Sequence, residues 1–149
     1  MPTTPTLPAS LERVVQRLSR VTETKQRYEQ LIWFAKRLQP LPDDVKTAEN
    51  KVPGCASQVF VTATPEEDKI QFAGDSDSQL VKGLVALLVE GMSGLTAAEI
   101  LSLSPEFIQR TGLDVSLTPS RSNGFYNIFK KMQQKTLEVE ASRERSQQS

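Results

Sequence analysis

The residue with the clearest chemical potential in this sequence is Cys55, the only cysteine of the chain. It lies in the segment Lys51 to Val61, KVPGCASQVFV. The chain contains no histidine, so its own residues cannot form a Cys–His or Ser–His–Asp nucleophile, because the usual base at neutral pH is absent. One cysteine also supplies too few ligands for a zinc or iron–sulfur site, and it cannot close a disulfide within the chain. We therefore predict no metal site and no bound cofactor, and we expect Cys55 to act as a single thiol.

The residues around Cys55 favour a reactive position. The alternative is a structural one, because a lone cysteine often behaves as a small buried hydrophobe. Pro53 and Gly54 predict a turn directly before Cys55, and loop tips on rigid scaffolds commonly carry reactive groups. Gly54, Ala56 and Ser57 are small, which lets a bulky partner approach the sulfur.

A thiol without its own base suits a reaction in which the other reactant is already activated. In exchange with a persulfide or disulfide, the attacking thiolate takes a sulfur from a good leaving group. A one-cysteine peroxidase is an alternative, but the chain has no second cysteine to resolve its sulfenic acid. A third class is an interaction module that activates a partner and has a structural cysteine. Sulfur transfer is the favoured reaction.

Charge and hydropathy limit the partners of the chain. Its 149 residues fit one domain, and 18 basic residues balance 18 acidic ones. Nothing in this balance favours nucleic acid or an anionic membrane, so we expect a protein or small-molecule partner.

The opening residues lack the regions of a signal peptide, and no apolar run reaches the length of a membrane span. We expect a cytoplasmic protein of a reducing compartment, with an organelle-targeting segment left open.

The order of the predicted elements is two helices, a small sheet and further helices, which is an α+β arrangement. Ser10 is the expected N-cap of the first helix, and the second ends near Leu38, before two prolines. We expect residues 1–9 to form a flexible segment, residues 10–140 a single domain and residues 141–149 a polar tail.

The predicted sheet follows the second helix. Alternating residues predict one strand over Gln58 to Thr64 and a second through Ile70 and Phe72, joined by the connection Pro65 to Asp68. With Asn50 to Val52 as a third strand, this indicates a small antiparallel sheet of about three strands, packed on one face by helices.

The next predicted helix is buried, because Gln79 to Gly91 has little polar surface. Asp75 and Asp77 precede it, and we expect at least one of them to cap its N-terminus. The capping-box pattern of Thr96 to Glu99 and the Ser104–Pro105 pair predict two short helices.

Three segments together resemble the SufE family of sulfur acceptors, which work with the pyridoxal-phosphate cysteine desulfurase SufS. They are VPGCASQVFV at 52–61, GDSDSQLVKGLVALL at 74–88 and LTPSRSNG at 117–124. Their order and spacing are those of the family, and the likeness extends over roughly residues 11–132. Phe60 stands where the family commonly has tryptophan, which keeps the aromatic character.

This resemblance implies an α+β fold shared with the IscU-type scaffold proteins. It also implies that Cys55 accepts persulfide sulfur from a SufS-type desulfurase, which carries pyridoxal phosphate, and relays it toward a downstream iron–sulfur scaffold. The chain would then be an acceptor and activator and not an enzyme with independent turnover.

Trp33 on the second helix is expected in the core, with partner contact as the alternative.

Further residues are candidates for the site around Cys55. Arg121 lies in the segment 118–124, which we expect to be a loop. Its guanidinium either stabilises the thiolate or orients the sulfur-bearing loop. The alternative is a structural role, in which it ties the loop to a carboxylate such as Asp75 or Asp77, or caps a helix end. We also expect apolar side chains to shelter Cys55 at rest and the loop to move outward to meet the donor. The candidates for partner contact are Gly54, Ser57, Gln58, Asp75 and Asp77.

Overall fold

The computed structural model describes residues 7–55 and 57–147. Residues 1–6 of the expected flexible segment lie outside the described residues. Three short 3-10 helices lie at Asp43–Val45, Ala48–Asn50 and Pro105–Phe107. The other elements are α1 (Ala9–Ser19), α2 (Thr24–Arg37), β1 (Val59–Glu66), β2 (Lys69–Ser76), α3 (Gln79–Met92), β3 (Leu95–Thr96), α4 (Ala97–Ser102), α5 (Ile108–Thr111), α6 (Leu113–Ser116) and α7 (Pro119–Gln147). The predicted α+β class is confirmed.

The sheet is antiparallel with the strand order β1-β2-β3. Strands β1 and β2 pair from Val59 opposite Ser76 to Glu66 opposite Lys69, so only two residues form the turn. The predicted connection was therefore too long at its start, because Pro65 lies within β1. Proline is tolerated there because β1 is an edge strand, where a missing N–H need not break the ladder.

The third strand was assigned to the wrong segment. Asn50 to Val52 forms only an isolated bridge between Lys51 and Phe60. The third strand is instead Leu95–Thr96, which pairs with the start of β2. Two residues show no strand periodicity, so pairing with β2 and not local pattern defines β3.

The core is built around α3, which packs against α1, α2, α7 and β2. Leu84, Val85 and Leu88 of α3 are fully buried, as the lack of polar face predicts. One face of the sheet packs against the same core. Its buried side chains are Val59, Val61, Ile70 and Phe72. None of the described helices is long and apolar enough to cross a membrane.

The N-caps differ from the predicted ones at two helices. The N-cap position of α1 is Pro8, and Ser10 instead donates a hydrogen bond to the carbonyl of Gly91 at 2.7 Å. The N-cap of α3 is Ser78, so neither Asp75 nor Asp77 caps that helix. Both aspartates precede the N-cap position, and their carboxylate oxygens accept hydrogen bonds from backbone N–H groups outside the helix.

Other helix ends follow the sequence signals. Helix α2 ends at Arg37 with Leu38 as its C-cap. Thr96 and Glu99 form the predicted capping box, and Ser104 caps the short helix that begins at Pro105. Local side chain to backbone bonds decide these ends, which is why the local sequence predicts them.

Residues 119–124 are helical, so the segment 118–124 is a helix start with Thr118 directly before it and not a loop. Thr118 accepts a hydrogen bond from the N–H of Arg121 at 3.4 Å, and Pro119 is the first residue of α7. A cap followed by a first-turn proline is a helix start signal, which the serine and glycine content of the segment obscured. At its other end α7 continues to Gln147, so residues 141–147 are helical, and residues 148–149 lie outside the described residues.

Candidate functional site

The loop that carries Cys55 is held at its base by the sheet. The N–H of Val52 donates to the carbonyl of Val59 at 2.8 Å. The N–H of Gln58 donates to Oδ1 of Asp77 at 3.0 Å. Gly54 occupies the predicted turn with φ of 76°, a left-handed conformation that favours glycine. Cys55 therefore lies directly after a turn on a loop with fixed ends, while Ala56 lies outside the described residues.

The thiol of Cys55 is partly buried and packs against the hydrophobic core. Its Sγ lies 4.0 Å from the carbonyl oxygen of Gly124, a weak donor contact. Burial raises the pKa of the Cys55 thiol, because the apolar surroundings disfavour the thiolate. The expected shelter at rest agrees with this position, and the outward movement of the loop stays a prediction.

A cavity of about 310 Å³ opens beside the thiol. It lies where the Cys55 loop meets the first turns of α3 and α7. Arg121 and Gly124 share one face of α7, since residues three apart lie above each other on a helix. The lining residues are Cys55, Ser57, Ser78, Val81, Thr118, Ser120, Arg121 and Gly124.

The structure thus brings Arg121 to the same cavity as Cys55. Within the described residues, no ion pair joins Arg121 to Asp75 or Asp77, the two carboxylates proposed to tie it. Ser57 also lines the cavity, whereas Gln58, Asp77 and Gly54 are exposed and do not line it. Within residues 7–55 and 57–147, no group of three or more acidic or cysteine side chains is arranged to hold a metal ion.

Sequence reasoning missed five residues of the cavity. They lie in the two motifs that follow the cysteine motif, but the expected loop at 118–124 concealed which side chains share a face. If the segment is assigned as a helix, the three-residue spacing of Arg121 and Gly124 indicates that both lie on the same face. The missed residues are Ser78, Val81, Thr118, Ser120 and Gly124.

The raised pKa predicts slow alkylation of the folded protein. We expect iodoacetamide to modify Cys55 with a pH midpoint above that of the urea-unfolded chain, since unfolding returns the thiol to water. The measurement is the alkylation rate against pH in both states, followed by mass spectrometry. Equal midpoints would show that burial does not control the reactivity of this thiol.

Asp75 is a buried carboxylate in contact with two lysines. Its oxygens lie 3.6 Å from Nζ of Lys46 and 3.5 Å from Nζ of Lys82. They also accept the N–H groups of Ser76 at 2.9 Å and Leu41 at 3.4 Å. Burial alone would raise the pKa of Asp75, but these hydrogen bonds and the two ammonium groups outweigh it and lower the pKa below its usual range. Asp75 therefore joins β2 to α3 and to the segment before the Cys55 loop.

A lowered pKa in the folded state means that ionised Asp75 stabilises the protein above the pKa of an unfolded aspartate. This contribution is lost as the pH falls through the folded-state pKa. We expect Asp75→Asn to lower the free energy of unfolding by about 2 kcal/mol at neutral pH. The difference from wild type should shrink in acid, as measured by urea unfolding across the pH range. The exposed Asp44→Asn is the matched control, expected within about 0.5 kcal/mol of wild type; a constant deficit at all pH values would contradict the assignment.

Fold and cavity together define a small α+β domain that presents a single sheltered thiol on a loop tip beside an arginine. A family model described as SufE, Fe-S metabolism associated domain, matches residues 12–136. The chain belongs to the SufE family.

Three similar proteins carry SufE in their names. An uncharacterized SufE-like protein of Synechocystis sp. is 58% identical over 89% of this chain and 83% of its own length. The SufE-like protein 1, chloroplastic/mitochondrial, of Arabidopsis thaliana is 46% identical over 96% of this chain but only 39% of its own length. The cysteine desulfuration protein SufE of Plasmodium falciparum is 38% identical over 70% of this chain and 44% of its own length.

A solved structure shares the fold. The solution structure of a hypothetical protein from Thermus thermophilus superposes with a TM-score of 0.78, covering 91% of this chain and 99% of that one. The sequences are 22% identical, so this likeness concerns the fold alone.

Proposed function

We propose that this protein accepts sulfur on Cys55 from a cysteine desulfurase of the SufS type, activates that enzyme by removing its persulfide, and passes the sulfur toward an iron–sulfur scaffold. The observation that carries the proposal is the placement of the only thiol of the chain on a loop tip, against a cavity shared with Arg121. The family description and the name of the Plasmodium relative support it. The lone cysteine, which cannot form a disulfide within the chain, supports a reducing compartment, and we propose the cytoplasm.

The proposed step is an exchange at sulfur. The Cys55 thiolate attacks the outer sulfur of the donor persulfide, forming a new S–S bond at Cys55. The S–S bond of the donor breaks and its cysteine leaves as a thiolate. The proton lost by Cys55 balances the one taken up by the leaving thiolate, so the step needs no external oxidant or reductant and no base from histidine.

The resting position of Cys55 suits a carrier more than a free nucleophile. Burial favours the protonated thiol, which is a poor nucleophile, and the same burial protects a bound persulfide from stray reductants. Movement of the loop toward a donor would return the sulfur to water and lower the pKa. Gly54 next to Cys55 is the flexible position, and the contact of its carbonyl with Nδ2 of Asn127, at 3.4 Å, is a weak restraint.

The guanidinium of Arg121 is proposed to stabilise the sulfur anion during transfer. We expect Arg121→Gln to slow sulfur gain on the order of tenfold, because a charge-assisted contact to the anion is lost. Arg121→Lys should recover part of the rate by restoring the charge. The measurement is the rate of sulfur gain by mass spectrometry over a range of pH; identical rates and pH profiles for all three proteins would assign Arg121 a structural role.

The test of the proposal is direct detection of the transferred sulfur. The full chain is mixed with a SufS-type desulfurase and cysteine, then analysed intact and after digestion. We expect a mass increase of one sulfur atom on the peptide that contains Cys55, reversed by a thiol reductant. Failure to gain sulfur under conditions where the desulfurase itself carries a persulfide would overturn the proposal.

A further inference from the structure

A second cavity, of about 500 Å³, lies between α1 and α2. Its lining includes the buried Val14 and Phe34, and Glu90 near the end of α3 is its only acidic lining residue among those the structure describes. We call this cavity the arginine groove, because the cationic residues that line it are Arg13, Arg17, Arg20 and Arg37. Four guanidiniums against one carboxylate form a local concentration of positive charge on a chain whose formal net charge is zero.

Two of these arginines are held in place around Trp33. The guanidinium carbon of Arg17 lies 3.4 Å from the centroid of the Trp33 ring, and its Nε donates to Gln30 at 2.8 Å. The guanidinium carbon of Arg37 lies 4.6 Å from the same centroid. Arg37 also donates two hydrogen bonds to Oε1 of Glu90, at 3.1 and 2.8 Å. Stacking on an aromatic ring fixes a guanidinium without consuming its hydrogen-bond donors, so Arg17 keeps donors available to a ligand.

The other two arginines leave the groove without a counter-charge. Arg13 and Arg20 are exposed, and neither forms a side-chain hydrogen bond or ion pair within the described part of the chain. Glu90 is already engaged by Arg37 and cannot neutralise them. The groove is therefore complementary to a ligand that carries several negative charges.

Three of the arginines form a row that an extended anionic ligand can follow. Arg13 and Arg17 of α1 and its C-cap residue Arg20 lie on one face, and they rise along the helix axis by about 6 Å and about 4.5 Å. Alternate side chains of an extended peptide lie about 6.6 Å apart, which matches the first interval. We propose that the arginine groove binds an acidic segment of a protein partner, with carboxylates at alternate positions of an extended chain.

This surface is separate from the thiol site. Val81 lines the cavity of Cys55 and Glu90 lines the arginine groove, and the helical rise between them along α3 is about 13 Å. A partner held in the groove leaves the Cys55 loop accessible. The inference does not depend on what Cys55 accepts.

The test uses the full chain and two fluorescein-labelled peptides, one alternating Glu and Ser and one alternating Gln and Ser. We expect the Glu peptide to bind in fluorescence anisotropy, with affinity falling as salt rises. The double variant Arg13→Gln, Arg20→Gln should weaken binding about tenfold. The control Arg145→Gln, which removes one positive charge from the exposed end of α7, should change affinity by less than about twofold.

Several outcomes would overturn the inference. They are equal binding of the Gln peptide, no effect of the double variant, an equal loss in Arg145→Gln, and binding of inorganic tripolyphosphate without binding of the Glu peptide. Alkylation of Cys55 by iodoacetamide should be the same in the double variant as in wild type. That readout separates failure of the groove from failure of the thiol site.

Discussion

Replacing Cys55 with serine is expected to abolish both sulfur gain and stimulation of a cysteine desulfurase. Serine keeps the size of the side chain, but its hydroxyl is not ionised near neutral pH and does not take sulfur from a persulfide. The position is partly buried without a strong hydrogen bond, so we expect the free energy of unfolding to change by less than about 1 kcal/mol. The measurements are the mass of the protein and desulfurase turnover with and without it.

The serine variant also separates the alternative functions. Wild-type protein blocked with iodoacetamide is the matched control, and it should behave as the serine variant does. Stimulation of the desulfurase by Cys55→Ser equal to that of wild type would identify an allosteric activator with a structural cysteine. Peroxide consumption by wild type with an external thiol, without sulfur gain, would identify a peroxidase.

Replacing Gly83 with alanine is expected to cause the largest loss of stability, about 3 kcal/mol. Gly83 lies where α2 crosses α3, and an added Cβ would lie 2.7 Å from the carbonyl carbon of Leu31 and closer still to its oxygen. Both obstructing atoms are backbone, so no side-chain rotation relieves the overlap and the two helices must separate. Alanine is the better helix former by about 1 kcal/mol, so any net loss arises from packing. Urea unfolding measures it.

Gly94→Ala is the control for glycine removal without close contact. Gly94 has φ of 85°, and an added Cβ would meet nothing within 4 Å. We expect a loss of about 1 kcal/mol from backbone strain alone. Equal losses at Gly83 and Gly94 would show that the helix crossing tolerates a methyl group and that the packing argument is wrong.

Local signals predicted those parts of the fold that local interactions decide. The burial of α3 followed from its continuous apolar sequence, and the start of α4 from the capping box of Thr96 and Glu99. The wrong predictions of a strand and of a helix cap concern segments whose structure depends on contacts with residues distant in sequence. Leu95–Thr96 becomes a strand only by pairing with β2, and Ser10 gives up capping because the carbonyl of Gly91 is within reach of its hydroxyl.

The start of α7 shows the same competition within the candidate site. Gly124 and its polar neighbours are weak helix formers, and their composition predicted a loop. In the structure the cap of Thr118 and the first-turn Pro119 start the helix, and the packing of α7 on β1 and α3, with Gly124 buried against Cys55, outweighs the weak helix preference of the segment. This one misassigned segment contains three of the five lining residues that the sequence did not indicate: Thr118, Ser120 and Gly124.

The amino-acid sequence by itself determined the chemistry of this protein: a single thiol without histidine or a second cysteine, placed after a Pro–Gly turn, within motifs that resemble the SufE family. Composition and turn formation depend on which residues are present or adjacent, so they can be read directly from the chain. Only the tertiary structure decided that Arg121 shares a cavity with Cys55, that burial raises the pKa of the thiol, and that four arginines line one groove with Trp33. Each of these features requires contact between residues that are distant in sequence. The packing of helices against the sheet brings these residues together, and no local pattern encodes that packing.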